Sequence, residues 1–143
     1  MTKETQGPLI EEIWEILTTD TELKEIMGGE VRVFNEWAEK NANFPYLVFR
    51  IDNNYNPTGL VAEGTLYLDI WDFAELSARS LKIRGRIISL IDKLKIRIGS
   101  DIAYCRFWLQ ADGQVPESTK GIIHRAMQFG LRYDRKIELE NII

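Results

Sequence analysis

Apolar side chains recur at helical spacing near the N-terminus. The stripe within Leu9–Leu17, backed by glutamates on the other side, predicts a short amphipathic helix opened by Pro8. The following segment 19–22 reads Thr-Asp-Thr-Glu, the spacing of a capping box that supplies partners to the first N–H groups of a helix. A second short helix should therefore start there and end at the glycine pair 28–29.

A longer helix is predicted in the middle of the chain, from about Phe73 to Leu94. Ile83, Ile87 and Ile91 repeat close to the 3.6-residue period of an α-helix. Asp72, directly before this segment, is a residue type that often caps a helix.

Strict alternation of apolar and polar residues predicts strands on either side of a polar segment. If residues 46–52 and 66–71 pair as a hairpin, only one register keeps the apolar side chains together, because a slip of one residue would place leucines opposite charges. That register pairs Ile51 with Leu66, Phe49 with Leu68, and Leu47 with Ile70. The connection Asn53–Gly64 is then a long polar loop, and its Asn54 and Tyr55 are candidate contacts of an arm that reaches a neighbouring subunit.

Three further segments complete the predicted sheet. A brief strand is expected near Val31–Phe34, and alternation predicts strands at 103–110 and 126–133, joined by a loop marked by 112–113 and Pro116. We expect an α+β fold, with a mostly antiparallel sheet of about 4–5 strands, the long helix packed on one face, and short N-terminal helices. A single domain should span residues 1–143, with 136–143 as a C-terminal tail.

The composition argues against catalysis. The chain has 143 residues, of which 45% are hydrophobic and 28% charged, with a single His and a single Cys. One histidine and one cysteine are too few for a zinc site of the His/Cys kind or for a disulfide. Cys105 is expected to be a buried structural thiol and His124 a surface histidine. We therefore expect no enzyme activity, no metal and no cofactor.

Three aspartates are the remaining candidates for a metal or acid–base site. Asp52, Asp69 and Asp72 are better explained by a strand end, a mid-strand position and a helix cap.

The polar N-terminus lacks a signal-peptide pattern, and no apolar run reaches membrane-spanning length. A cytosolic protein with no membrane partner is the expectation.

Charge is divided unequally along the chain. Residues 1–75 carry 15 acidic and 5 basic side chains, whereas residues 76–143 carry 7 acidic and 13 basic ones. The basic excess is concentrated in segment 79–97, where Arg79, Lys82, Arg86 and Lys93 are candidate contacts. Three interpretations remain open for this segment: a solvated helix face, a nucleic-acid contact, or head-to-tail self-assembly that closes into a ring. The sequence pI of about 5.1 argues against a typical nucleic-acid-binding domain.

Aromatic residues fall on the less apolar faces of the predicted strands. Tyr and Trp are enriched at protein interfaces, which makes Trp71 and Trp108 candidate contacts between subunits. The alternative is that the long helix covers this face of the sheet.

The order of elements resembles the bacteriophage tail-completion proteins, the small tail-terminator or head–tail joining subunits. The resemblance is carried by Leu9–Leu17, by Val31–Phe34, by the Phe-Pro-Tyr-Leu-Val sequence of 44–48, and by the Asp-Ile-Trp strand at 69–71. It covers roughly the whole chain, as a pattern of elements.

The resemblance implies a structural role without catalysis. Such a subunit forms a homo-oligomeric ring, typically a hexamer, that joins the tail tube to the head-completion proteins and lets DNA pass through its lumen. It would assemble in the bacterial host cytoplasm and reside in the virion tail or neck. The runner-up is a cytosolic nucleic-acid-binding or regulatory module that uses the basic helix 79–97.

Overall fold

The chain is a mixed α+β structure built around one six-stranded sheet. A computed structural model describes residues 2–54, 61–98 and 102–135. In chain order the elements are α1 (Thr2–Thr19), α2 (Thr21–Ile26), β1 (Val33–Asn35), β2 (Tyr46–Asn54), β3 (Val61–Phe73), a 3₁₀ turn (Ala74–Leu76), α3 (Ser77–Ile91), β4 (Lys95–Ile98), β5 (Ile102–Val115) and β6 (Ile122–Arg135).

The strands lie in the order β1-β2-β3-β6-β5-β4. β1 runs parallel to β2, and every other neighbouring pair is antiparallel. The predicted hairpin register is confirmed, because Ile51 lies opposite Leu66 and Phe49 opposite Leu68. The buried face fixes this register, as the alternation of the two strands requires.

The predicted size of the sheet is wrong, since the sheet has six strands instead of about 4–5. Its orientation is mixed, because one pair is parallel, although most pairs are antiparallel as predicted. The additional strand is β4, whose Lys95 pairs with Arg106 of β5. The segment carries only two apolar side chains in four residues. It is held by pairing with a strand that follows it, a contact that local pattern does not reveal.

The central helix is shorter than predicted, and its start is built differently. A 3₁₀ turn precedes α3, which ends at Ile91. Lys93 then adopts a left-handed conformation with φ 65°, so the backbone leaves the helix before β4. Asp72 caps neither element; it is fully buried beneath the helix instead.

The long polar loop is also shorter than predicted. β2 continues through Asn54 and β3 begins at Val61, so both ends of the predicted Asn53–Gly64 loop are strand. Tyr55 lies outside the described residues. Likewise β5 continues to Val115, through the positions expected to form a loop.

The core lies between the helices and one face of the sheet. Ile83, Ile87 and Ile91 of α3 are completely buried, as are Leu9 and Leu17 of α1. They pack in one cluster with the inward side chains of the strands, which include Leu47, Phe49, Leu66, Leu68, Phe107, Met127 and Phe129. Burying each such side chain contributes roughly 1.5–3 kcal/mol. None of the described helices packs on the opposite face of the sheet.

Candidate functional site

The sheet face opposite the helices, which we call the open face, carries aromatic and charged side chains. Leu66, Leu68 and Ile70 of β3 point into the core, and the residues between them point the other way, because side chains alternate along a strand. The five aromatic side chains predicted on the less apolar strand faces all lie on this side: Tyr46, Tyr67, Trp71, Tyr104 and Trp108. The long helix therefore does not cover them.

Five exposed cations gather where β4, β5 and β6 lie side by side. The register places Lys95 opposite Arg106, and Arg106 opposite Arg132. Like charges directly opposite each other destabilise an antiparallel pair. On its other side Arg132 is opposite Glu63, yet no member forms an ion pair with any described residue. We call this group the basic patch: Lys93, Lys95, Arg97, Arg106 and Arg132.

Aromatic rings and a shallow hollow complete the basic patch. Lys95 Nζ lies 4.7 Å from the ring centroid of Tyr104, within the range of a cation–π contact. The indole of Trp108 lies on Gly130, where an added Cβ would come 2.4 Å from the ring. A hollow of about 410 Å³ is lined by patch cations together with Leu94, Phe107 and Trp108. The patch thus combines positive charge with apolar surface.

A ladder of aromatic rings crosses the other end of the open face. Tyr46 stacks on Trp71 with 5.4 Å between ring centroids, and Trp71 stacks on His124 at 3.9 Å. Phe34 meets Tyr46 edge-on at 6.1 Å, and Phe44 stacks on the same tyrosine at 5.5 Å. Such cross-strand aromatic contacts stabilise neighbouring strands, so the ladder braces β1, β2, β3 and β6.

The prediction of a surface histidine is wrong. The side chain of His124 is only 13% exposed, because it lies under Trp71. Its Nε2 makes no hydrogen bond within the described residues and lies 3.5 Å from Asp69 Oδ2, while Nδ1 lies 3.9 Å from Glu117. Burial raises the pKa of Asp69, and the nearby His124 opposes this shift.

A second hollow lies beside β1, at the acidic end of the open face. It measures about 320 Å³ and is lined by aromatic rings, by Glu36 and Asp69, and by Arg50. The guanidinium of Arg50 is occupied, since it lies 3.9 Å from the ring centroid of Tyr67 and 2.6 Å from Asp52. At the rim, Trp37 is 82% exposed, which is unusual for so large an apolar side chain.

Arginines of the predicted basic helix are paired within the chain. Arg79 donates two hydrogen bonds to the buried Asp72, at 2.8 and 2.5 Å. Arg86 donates two to Asp20, at 2.9 and 2.7 Å, and its Nη1 lies 2.8 Å from Glu22. Arg84 is paired in the same way with Asp112. These arginines join helix to strand and helix to helix.

The remaining predicted contacts are divided between the two faces. Lys82 is exposed on α3, where it lines a surface hollow with Glu22 and Glu25. Lys93 and Trp108 come together in the basic patch, and Trp71 stands in the ladder. Asn54 ends β2, and Tyr55 is outside the described residues.

Four contact candidates were missed from the sequence. Arg106 and Arg132 alternate with core residues in their strands, so the alternation itself could have placed them on the open face. Glu36 and Trp37 follow the three-residue strand β1, where no periodic pattern indicates exposure.

Chemical signatures are sparse in the part of the chain that the structure describes. Cys105 is buried, as predicted, and burial raises the pKa of its thiol to about 12. Among residues 2–54, 61–98 and 102–135 no cluster of three or more His, Cys, Asp or Glu side chains could hold a metal ion. No described helix is long and apolar enough to cross a membrane.

Comparison with known proteins shows that this chain is similar in fold to solved structures. No protein-family model matches the chain, and no curated protein matches it. A solved chain from the "Virion of native gene transfer agent (GTA) particle" superposes with a TM-score of 0.69 at 11% identity, covering 85% of this chain and 91% of that one. A second solved chain has a TM-score of 0.68 at 11% identity, covering 90% and 95%. The chain is therefore similar in fold, over most of its length, to a component of a phage-like particle.

Proposed function

We propose that this chain is a structural subunit of a phage-like particle, a tail-terminator or head–tail joining subunit that assembles into a homo-oligomeric ring. The observation that carries the proposal is the superposition on a gene transfer agent virion chain, with a TM-score of 0.69 over 85% of this chain and 91% of that one. Because the superposition covers most of both chains, the two chains share the whole fold. We take the location in a virion particle from that neighbour.

The open face supplies the means of assembly. Trp37, Tyr104 and Trp108 are 82%, 43% and 39% exposed, and residues of this kind are typical of interface anchors. Apolar burial at these side chains would provide most of the binding free energy. The unequal charge of the two ends of the sheet would set orientation and association rate.

The mechanism is assembly, and we propose no catalytic step. As a ring between tail tube and head-completion proteins, the oligomer would surround the passing DNA without reading its sequence. Assembly would take place in the host cytoplasm, and the mature ring would reside in the virion tail or neck.

A second function is favoured by one specific feature, the basic patch with its exposed Tyr104 and Trp108. Cations next to exposed aromatic rings are typical of surfaces that bind single-stranded nucleic acid, where bases stack on the rings. The alternative is therefore a nucleic-acid-binding module that acts through the sheet.

Electron microscopy of the purified chain in low-salt buffer tests the first proposal against the second. The ring proposal predicts closed particles of uniform diameter that become fewer at high salt, because salt screens the exposed charges that contribute to the contact. Particles of monomer size, combined with a strong shift of a labelled single-stranded oligonucleotide in a gel, would favour the module and contradict the ring.

A further inference from the structure

We infer that the basic patch of one copy receives the Glu36–Trp37 corner of a second copy. The inference rests on the proposed self-assembly and names the two surfaces that meet. The occupant is thus a segment of this same chain, an acidic side chain next to an exposed indole.

The Glu36–Trp37 corner is held in a fixed shape although its side chains are exposed. Glu36 adopts a left-handed conformation with φ 70°. Its N–H donates to the carbonyl of Phe49 at 2.8 Å, and the N–H of Trp37 donates to the carbonyl of Asn35 at 2.9 Å. A corner whose backbone is already ordered loses little further backbone entropy on docking. Trp37, at 82% exposed, gains the most by becoming buried.

The basic patch carries apolar surface that the indole of Trp37 can contact and positive charge that the carboxylate of Glu36 can pair with. Trp108 and the half-buried Leu94 supply apolar surface in the hollow of about 410 Å³, which has room for an indole ring. Lys95, Arg106 and Arg132 surround it with charge that forms no ion pair with a described carboxylate. The indole of Trp37 would lie among cations, a favourable arrangement, and Glu36 would relieve the repulsion between them.

Charge favours a second copy over nucleic acid as the occupant. The whole chain carries a formal charge of −4, which opposes the approach of a polyanion more strongly than that of a second copy, whose own net charge is only −4. The end of the sheet near β1 places Glu36 and Asp69 around its own hollow, and its Arg50 is already paired with Asp52. One end of the open face is therefore complementary to the other end of a neighbouring copy.

The twist of the sheet favours a head-to-tail arrangement. β1 and β5 are separated by three strands in the sheet order. Neighbouring strands rotate by roughly 20–25°, so the two ends of the open face point in clearly different directions. Contacts between two different surfaces of the same chain continue from copy to copy and close into a ring when the rotation permits.

A charge-swap experiment tests the contact. The first variant reverses the patch with Arg106→Glu and Arg132→Glu, and the second reverses the corner with Glu36→Lys. Sedimentation equilibrium should show self-association roughly 30-fold weaker in each variant alone. An equimolar mixture should associate again, because the acidic patch of one variant meets the basic corner of the other.

Substitution of the indole tests the apolar part of the contact independently. Trp37→Ala removes a side chain that is 82% exposed, and it should weaken association by a similar factor without unfolding the chain. Trp14→Ala is the matched control, since Trp14 is 51% exposed on α1 and should leave association unchanged. Lys24→Glu, at an exposed position on α2, is the matched control for charge.

The outcomes separate this inference from the proposed function. A wild-type oligomer that tolerates both the patch reversal and Trp37→Ala would overturn the inference and leave the ring standing. A wild-type dimer that obeys the charge swap would support the contact and contradict the ring. A wild-type monomer at high protein concentration and low salt would contradict both, and loss of oligonucleotide binding on patch reversal would then assign the patch to nucleic acid.

Discussion

The arginines on the helix-covered side of the sheet and the cations of the basic patch on its open face differ in whether they form ion pairs. On the covered side, Arg79, Arg84 and Arg86 each meet a carboxylate of the same chain. On the open face, Lys95 and Arg106 stand opposite other cations in the register and have no ion-pair partner among the described residues. The first group therefore supports the fold, whereas the second is available for the contact with a second copy that we infer above.

This difference predicts that substitutions on the two sides have opposite consequences. Loss of a paired charge should lower the free energy of unfolding, because its partner remains without a counter-charge. Loss of an unpaired charge should leave folding almost unchanged and weaken assembly.

The largest loss of stability is expected at the buried Asp72. Asp72→Ala removes the partner of Arg79 and the acceptor of the Phe73 N–H, which donates to it at 2.7 Å. The free energy of unfolding should fall by about 3 kcal/mol, as measured by urea denaturation. A loss below about 1 kcal/mol would show that the covered pairs do not support the fold.

A smaller, pH-dependent loss is expected at Asp20. The hydrogen bond from Arg86 lowers the pKa of this carboxyl, with support from the Leu23 N–H, while burial opposes the shift. Because the pKa of Asp20 is lower in the folded chain, its pairing with Arg86 stabilises the fold fully above the pKa of the unfolded chain, about 3.9. This stabilisation is lost as the pH falls through the pKa of the folded chain.

Asp20→Asn isolates the charge, because asparagine still caps a helix. At pH 7 the variant should be about 1 kcal/mol less stable than wild type in urea denaturation. The difference should disappear in acid, once Asp20 is protonated in the wild type. A difference that persists unchanged in acid would contradict the role given to the Arg86 pair.

On the open face, removal of a cation should have little effect on stability. Arg106→Gln relieves repulsion from Lys95 and Arg132, which it faces across both neighbouring strands. The free energy of unfolding should stay within about 0.5 kcal/mol of wild type, while self-association weakens. A large destabilisation would mean that the basic patch supports the fold after all.

The smallest effect on the structure is expected in a thiol-labelling experiment. It compares the reactivity of Cys105 in the core with that of a cysteine introduced at the Glu36–Trp37 corner. Burial raises the pKa of Cys105 to about 12, so at pH 8 the folded wild type should react very slowly with a thiol reagent. Trp37→Cys should react at the rate of a free thiol and become protected on assembly. Rapid labelling of the wild type in native buffer would contradict the burial of Cys105.

The core of the fold could be predicted from local pattern, because its periodicity is strong. The β2–β3 register followed from the alternation of Leu47, Phe49 and Ile51 against the apolar positions of the partner strand. β4 could not be predicted in this way, since its Lys-Ile-Arg-Ile sequence continues the cationic helix, and its pairing depends on β5. Tertiary pairing overrides local preference at such short edge strands.

Only part of the candidate site could be predicted from the sequence. The strand pattern placed Trp71 and Trp108 away from the core, and the structure agrees. The pairing of Arg84 with Asp112 joins residues 28 positions apart, which local spacing does not reveal. All three interpretations of the basic segment 79–97 treated its charge as unpaired within the chain, whereas Arg79, Arg84 and Arg86 form ion pairs with carboxylates of the same chain.

The molar mass of the wild-type chain in solution tests the central claim most directly. Light scattering over a range of protein and salt concentrations should give a defined multiple of 16.6 kDa at low salt, with a ring near six copies. The average multiple at a given protein concentration should decrease as salt screens the basic patch. A mass of 16.6 kDa at every concentration and salt would contradict self-assembly through the open face.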